Sequence, residues 1–269
     1  MFTILFPTDF SQPAAYALEY AVSLAEKIGG KLLLLHAVPV PLQDPNTFFK
    51  AAEVYSKDEA KAKLDALHGQ IAARVPCESI LKVGHSVTEA VDLMKQSTVD
   101  LVIIGTRGAG STPDPLVGST TAGLVQKSPR PVLVIPAAAA FVAPQRIVLA
   151  ADLRETSRTA LEPLVAFADL FRAEVLVVNV ATQTEQLSEE KSVVALQLED
   201  YLGHVSSSMH VVVHDDVAEG IEHFVLEKRA QLLALVARKH GFFASLFHDS
   251  VTRKMTLHAQ VPLLALMEE

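Results

Sequence analysis

Short apolar runs alternate with amphipathic stretches along the first half of the chain. Apolar runs of about four to eight residues predict buried strands, and apolar positions that recur every three or four residues predict helices. The predicted strands are 2–8, 31–38, 78–83, 100–105 and 131–135. The predicted helices between them are 14–28, 53–74, 87–96 and 119–127. Strands separated by helices of this length form parallel sheets covered on both faces, so the pattern predicts an open α/β domain.

The second half of the chain repeats the order of the first. The run from Arg146 to Asp152 matches the run from Ile4 to Asp9, and the two aspartates are 143 positions apart. The further matches are 176–180 with 33–37, 214–219 with 85–89, and 262–266 with 131–135. An ordered series of matches at a nearly constant offset indicates duplication. We therefore predict two domains, residues 1–138 and 143–269, joined by a short linker.

Composition narrows the classes of partner and the compartment. The chain has 269 residues, enough for two domains, and its net charge of −8 argues against non-specific binding to nucleic acid or to an anionic membrane. The single cysteine, Cys77, has no partner for an intramolecular disulfide and is expected to be a small buried side chain at a strand start. No basic segment precedes the first apolar run, and no run reaches the ~18 apolar residues of a membrane span. We expect a cytoplasmic protein.

A glycine-rich segment after the fourth predicted strand is the best candidate for chemistry. Glycine lacks a Cβ, so a phosphate can approach the backbone N–H groups closely, and a helix that begins at the second glycine group offers unpaired donors to an anion. The segment lacks the Gly-Lys-Ser/Thr of a Walker A loop, and a dinucleotide fingerprint would follow the first strand. Turn chemistry without a ligand is the alternative. The residues concerned are Gly105, Thr106, Arg107, Gly108, Gly118, Ser119 and Thr120.

These features together resemble the universal stress protein family. The resemblance rests on the pattern Gly-x2-Gly-x9-Gly-Ser, on Pro7-Thr8-Asp9-Phe10-Ser11, on His36 at the end of the second strand, and on the strand Pro131-Val132-Leu133-Val134-Ile135. It covers the whole chain as a tandem pair and is specific in the first half. It implies two tandem open five-stranded parallel-sheet domains of the Rossmann-like, adenine-nucleotide α-hydrolase-like kind.

The resemblance also implies an ATP site, with or without Mg²⁺, in the first domain. The glycine loop would hold the ribose and phosphates, Asp9 with Pro7 and Thr8 would lie beside the nucleoside, and Ala37 would contact adenine through its backbone. The implied site residues are Pro7, Thr8, Asp9, Ala37, Gly105, Thr106, Arg107, Gly108, Gly118, Ser119 and Thr120.

The second domain has lost the glycines of this loop. Ala237, His240 and Ser250 stand at the three matching positions, and each adds a Cβ where a phosphate would approach. The second domain is therefore expected not to bind ATP in the family manner, although Arg238 and Lys239 leave the segment basic enough for another anion.

Three functions compete at this point. The first is a nucleotide-binding regulatory protein with a role in the stress response. In this function ATP is hydrolysed slowly at most, and Asp9 is the one candidate for a general base. The second is a nucleotide-free interaction module that uses the phenylalanine-rich segment 242–247. The third is an enzyme of the wider α-hydrolase-like group. The expected partners are an adenine nucleotide, the other domain through strands 132–135 and 263–266, and a second copy of the chain.

Histidines are the other candidates for chemistry. His36 follows four leucines and is expected to pack or to hydrogen-bond at its strand end. His210 and His214 share a strand face, which makes a zinc site conceivable, but no third ligand stands at a characteristic spacing. Structural histidines are the better interpretation, and no metal site is predicted.

Overall fold

The fold is described from a computed structural model. The structure describes residues 1–39, 56–106, 118–137, 139–153, 156–181, 189–237 and 261–268. Contacts between Cα atoms divide the chain into two units, Met1–Phe141 and Val142–Glu269. We call them unit 1 and unit 2.

Unit 1 is a parallel sheet with its helices in the crossover connections. Its elements are β1 (Thr3–Pro7), α1 (Gln12–Ile28), β2 (Lys31–Val38), α2 (Lys57–Ala72), β3 (Cys77–Val83), α3 (Ser86–Gln96), β4 (Leu101–Gly105), α4 (Ser119–Lys127) and β5 (Val132–Ile135). The strand order is β3-β2-β1-β4-β5, and neighbouring strands are parallel. The strand order reverses between β1 and β4, because β2 and β3 are added on one side of β1 and β4 and β5 on the other. Open α/β sheets bind ligands at such a switch point.

Unit 2 has the same architecture. Its elements are β6 (Arg146–Ala150), α5 (Arg158–Phe171), β7 (Glu174–Ala181), α6 (Glu189–Tyr201), β8 (Ser207–Val213), α7 (Val217–Lys228), β9 (Leu232–Ala237) and β10 (Leu263–Met267). Within the unit the order is β10-β9-β6-β7-β8, again with parallel neighbours. The switch point of unit 2 therefore lies between β6 and β9.

Local sequence sets the helix ends. Ser11 caps α1 by accepting a hydrogen bond from the Ala14 amide, and Gly29, with φ of 64°, ends the helix in the left-handed conformation. Ser56 and Glu59 form a capping box, so α2 begins at Lys57. The predicted start of this helix at residue 53 falls outside the described residues.

The structure confirms the duplication in detail. The Thr8 amide donates to the Leu35 carbonyl at 2.8 Å, and the Ala151 amide donates to the Val178 carbonyl at 2.9 Å. The donor and the acceptor in unit 2 each lie 143 positions after their counterparts in unit 1. None of the helices formed by the described residues is both long and apolar enough to cross a membrane.

Cys77 departs from expectation in one respect. It begins β3, as predicted, but it is half-buried and not enclosed. Burial and, to a smaller extent, the nearby Glu78 carboxylate raise the pKa of its thiol to about 11. The thiol is therefore protonated at neutral pH and a poor nucleophile.

Candidate functional site

The carboxyl ends of β1, β2 and β4 bring distant parts of the sequence to one edge of the unit 1 sheet. The register pairs Ile4 with Leu101 and Leu5 with Val102, which carries Thr8 to the level of Gly105. Ala37 lies beyond the end of β1, because Pro7 is paired with Leu35. The described residues of the implied ATP site thus share this edge.

The loop between β1 and α1 is fixed by its own side chains. The Thr8 hydroxyl oxygen accepts from the Phe10 amide at 3.1 Å, and a carboxylate oxygen of Asp9 accepts from the Ser11 amide at 3.0 Å. Phe10 has φ of 62°, a left-handed conformation uncommon for a bulky residue. The loop therefore has one defined shape, with Asp9 at its centre.

His36 closes the base of this loop. Its Nδ1 lies 2.7 Å from the Thr8 carbonyl oxygen, and its ring centroid lies 4.3 Å from that of Phe10. Burial lowers the pKa of His36 against the opposing effects of the hydrogen bond to Thr8 and the charge of Asp9, so the ring is neutral at pH 7. The expectation that His36 hydrogen-bonds at its strand end is confirmed.

The helix α4 begins at the second glycine group, as the sequence predicted. Gly118 is its N-cap, no side chain among the described residues caps it, and the Gly118 amide donates to the Thr106 carbonyl at 2.8 Å. The N–H groups of the first turn have no partner inside the helix, and no acceptor for those of Ser119 and Thr120 is found among the described residues. Ser119 is exposed and Thr120 half-buried. The predicted residues Arg107 and Gly108 lie outside the described residues.

Two residues that position this edge were missed by the sequence reasoning. The Thr121 hydroxyl is buried and donates to the Gly105 carbonyl at 2.8 Å, which ties α4 to the end of β4. The two adjacent threonines at 120 and 121 gave no signal as to which one faces inward. Phe10 carried no signal either, because the left-handed conformation usually belongs to glycine, asparagine or aspartate.

A small cavity in unit 2 is lined by the end of β6, by the residues that follow it, and by side chains of α5, α6 and β9. It measures about 10 Å³, room for about one water molecule. The lining residues are Leu149, Ala150, Ala151, Asp152, Leu153, Thr156, Leu161, Leu198 and Val236. The segment aligned with the glycine loop, after Ala237, lies outside the described residues.

The unit 2 histidines have local partners. His214 Nδ1 lies 2.7 Å from the Asp216 carbonyl oxygen, and His210 Nε2 lies 3.0 Å from the Ser208 hydroxyl oxygen. Across the described ranges of the chain, no group of three or more histidine, cysteine or acidic residues is arranged to hold a metal ion. The structural interpretation of these two histidines agrees with these contacts.

Comparison with known proteins identifies the family. The profile described as the universal stress protein family matches residues 1–136 and 144–266, one match in each unit. The chain belongs to the universal stress protein family. As a universal stress protein with two matches, it is a tandem member, which confirms the resemblance seen in the sequence.

Relatives show how this universal stress protein compares with others. A universal stress protein from Methanocaldococcus jannaschii is 27% identical over 150 residues, which is 49% of this chain and 93% of the relative. A crystal structure of a universal stress protein from Archaeoglobus fulgidus covers 99% of this chain and 98% of its own, with a TM-score of 0.76 and 18% identity. That likeness shows the fold. A universal stress protein solved in complex with cAMP is 25% identical over 50% of this chain and 96% of its own, with a TM-score of 0.39.

Proposed function

We propose that this universal stress protein binds one adenine nucleotide, ATP with or without Mg²⁺, at the switch point of unit 1. In this proposal unit 2 is a degenerate partner domain, and the bound nucleotide serves a regulatory role in the stress response. Regulation requires that the nucleotide bind two states of the protein with different affinities. Pairing of the two units with each other, and a homodimer, stay predictions from the sequence.

The observation that carries the proposal is the start of α4. Gly118 places amide donors at the same edge as the Asp9 loop, and no side chain in the described part of the protein caps them. Amides at a helix start bind phosphate because they are unpaired and lie at the positive end of the helix dipole. A carboxylate on the neighbouring loop, at Asp9, suits the hydroxyl groups of a ribose, because ionised carboxylates accept hydrogen bonds.

The sequence of unit 2 supports a single site per chain. The loop glycines are replaced at 237, 240 and 250, and each replacement adds a Cβ where a phosphate would approach. The expected stoichiometry is therefore one nucleotide per chain.

The test is a calorimetric titration of the full chain with ATP, first without metal and then with Mg²⁺. Gly118→Asp is the variant of choice, because aspartate is a favourable N-cap and also places a negative charge where the phosphates would lie. Wild type should bind one ATP per chain. Gly118→Asp should bind at least about fivefold more weakly, since like charges a few ångströms apart repel by about 1 kcal/mol or more.

Gly118→Ser is the matched control. It caps the helix with a neutral side chain, so it should lose less affinity than Gly118→Asp while melting at a similar temperature. No binding of ATP by wild type at millimolar concentration would overturn the proposal and favour a nucleotide-free interaction module. Release of phosphate or pyrophosphate during the titration would instead indicate an enzyme.

A further inference from the structure

One buried hydrogen bond occurs twice in this protein, made by different side chains. In unit 1, His36 Nδ1 lies 2.7 Å from the carbonyl oxygen of Thr8, and in unit 2, Asn179 Nδ2 donates to the carbonyl oxygen of Ala151 at 2.9 Å. Each donor and each acceptor is offset by 143 positions from its counterpart. Both side chains are buried, with 7% and 5% of their surfaces exposed. The position therefore requires a donor.

The bond in unit 1 fixes the peptide that precedes Asp9. A carbonyl oxygen only accepts hydrogen bonds, so Nδ1 of His36 carries the hydrogen. The Thr8 amide is held at the same time by the Leu35 carbonyl at 2.8 Å. The backbone amide and the carbonyl of Thr8 are thus both bonded to residues of β2. The position of the backbone that enters Asp9 is therefore fixed.

Phe10 adds a ring contact for which the matching residue of unit 2 has no ring. The Phe10 ring lies at a tilt of 34° to the His36 ring, whereas the residue 143 positions after Phe10 is Leu153. Phe10 and Leu153 have φ of 62° and 50°. Such conformations persist in bulky residues only when the surroundings hold them. His36 provides part of this support through its ring contact with Phe10, the residue that follows Asp9.

We infer that His36 is a positioning residue of the nucleotide site, which orients Asp9 by holding the Thr8 carbonyl on one side and the Phe10 ring on the other. This inference rests on the proposed function of unit 1. His36 itself is not assigned a contact with the nucleotide. Its hydrogen bond does the positioning, so the donor at Nδ1 is the essential feature of the side chain.

The chain itself supplies the variants for a test. His36→Asn keeps a donor, because Nδ2 of asparagine is at the same branch of the side chain as Nδ1 of histidine, and Asn179 makes this bond in unit 2. His36→Leu removes the donor and keeps an apolar side chain. In calorimetry with ATP on the full chain, His36→Leu should bind about tenfold more weakly and His36→Asn within about threefold of wild type.

Asn179→Leu is the matched control for a general loss of stability. It removes the same bond from unit 2, so it should lower the melting temperature about as much as His36→Leu and leave the affinity for ATP unchanged. The inference is overturned by wild-type affinity in His36→Leu, by equal losses in His36→Leu and His36→Asn, or by a loss of affinity in Asn179→Leu.

Hydrogen exchange separates this inference from the proposed function. The amides of Phe10 and Ser11 are bonded to side chains within the loop, so their exchange reports its shape without any ligand. They should exchange at least about tenfold faster in His36→Leu than in wild type or His36→Asn. Absence of ATP binding in wild type, with this exchange pattern present, would refute the nucleotide site and keep His36 as the residue that shapes the loop. Unchanged exchange in His36→Leu would refute that role itself.

Discussion

At the scale of single residues, the edge of unit 1 depends on groups that are buried and still polar. His36, Thr8 and Thr121 are all at least nine-tenths buried, and each takes part in a hydrogen bond near this edge. Leaving one such group without its partner costs about 1 to 3 kcal/mol. Substitutions here therefore change stability as well as the shape of the candidate site.

The burial of His36 has a consequence for pH. Because burial lowers the pKa of His36, the folded protein binds this proton less readily than the unfolded chain, whose histidines titrate near about 6.5. The contribution of His36 to stability is complete above that pH and is lost as the pH falls through the lowered pKa. Between about pH 7.5 and pH 5, wild type should lose more free energy of unfolding than His36→Asn. Urea denaturation at each pH measures both, and equal losses would contradict the prediction.

Residue chemistry was predictable where one residue type has one clear use. Gly118 was correctly placed at the start of α4 and Ser11 at the start of α1, because glycine and serine have strong positional preferences there. Phe10 was not predictable, because its left-handed backbone is held by His36 and by the loop and not by its own preference. The starts of α1 and α4 and the hydrogen bond of His36 were therefore predictable from the sequence, whereas the support that Phe10 and Thr121 give to the candidate site was not.

At the scale of elements, the two units end their first helix in different ways. Gly29 ends α1 with φ of 64°, and Arg172 ends α5 with φ of 53°, at positions 143 apart. The left-handed conformation carries little cost for glycine and about 1 kcal/mol for a residue with a Cβ. The same turn is therefore stable in unit 1 and strained in unit 2.

This difference predicts that Gly29→Ala and Arg172→Gly change the free energy of unfolding in opposite directions. Gly29→Ala should lower the free energy of unfolding by about 1 kcal/mol, although nothing lies within 4 Å of the added Cβ. Arg172→Gly should raise it by a few tenths to about 1 kcal/mol, since Arg172 is exposed and little packing is lost. Denaturant unfolding of both variants measures the two changes. A loss of stability in Arg172→Gly would show that the arginine side chain contributes more than its backbone costs.

Element boundaries followed the strength of the local signals. The predicted helix 119–127 and strand 31–38 agree with α4 and β2, where glycines bound the segments on at least one side. The Ser56–Glu59 capping box determines the start of α2 at Lys57, and the predicted start at residue 53 lies outside the described residues. α5 has 14 residues where α1 has 17, although both helices end at equivalent positions, and it contains Pro163. Periodicity alone does not reveal such a shortened start.

At the scale of the whole molecule, a duplicated fold has kept its framework in both units. The two units have equivalent strand orders, and the Thr8 and Ala151 peptides are anchored alike. Such backbone bonds are essential to both sheets, since unpaired buried peptide groups are costly. In unit 2, Leu153, Leu161 and Leu198 line the small cavity at the end of β6. The sequence showed the loss of the loop glycines in unit 2 but did not show which side chains pack around this cavity.

The packing around this cavity is tested by Leu198→Ala. Leu198 is 3% exposed and lines the small cavity, whereas Leu196 on the same helix is 66% exposed. Leu198→Ala should lower the free energy of unfolding by about 2 to 4 kcal/mol, and Leu196→Ala by less than about 0.5 kcal/mol. Urea unfolding measures both variants.

The same variant also tests why unit 2 is expected to bind no nucleotide. If the glycines are essential, the enlarged cavity in Leu198→Ala stays without ligand, because space alone supplies neither amide donors nor a place for phosphate. The stoichiometry of ATP should then remain at one per chain in calorimetry. A second site that appears in Leu198→Ala would mean that unit 2 kept its binding groups and that Leu198 blocks them. In that case the leucines would account for the single site, and the glycines would not.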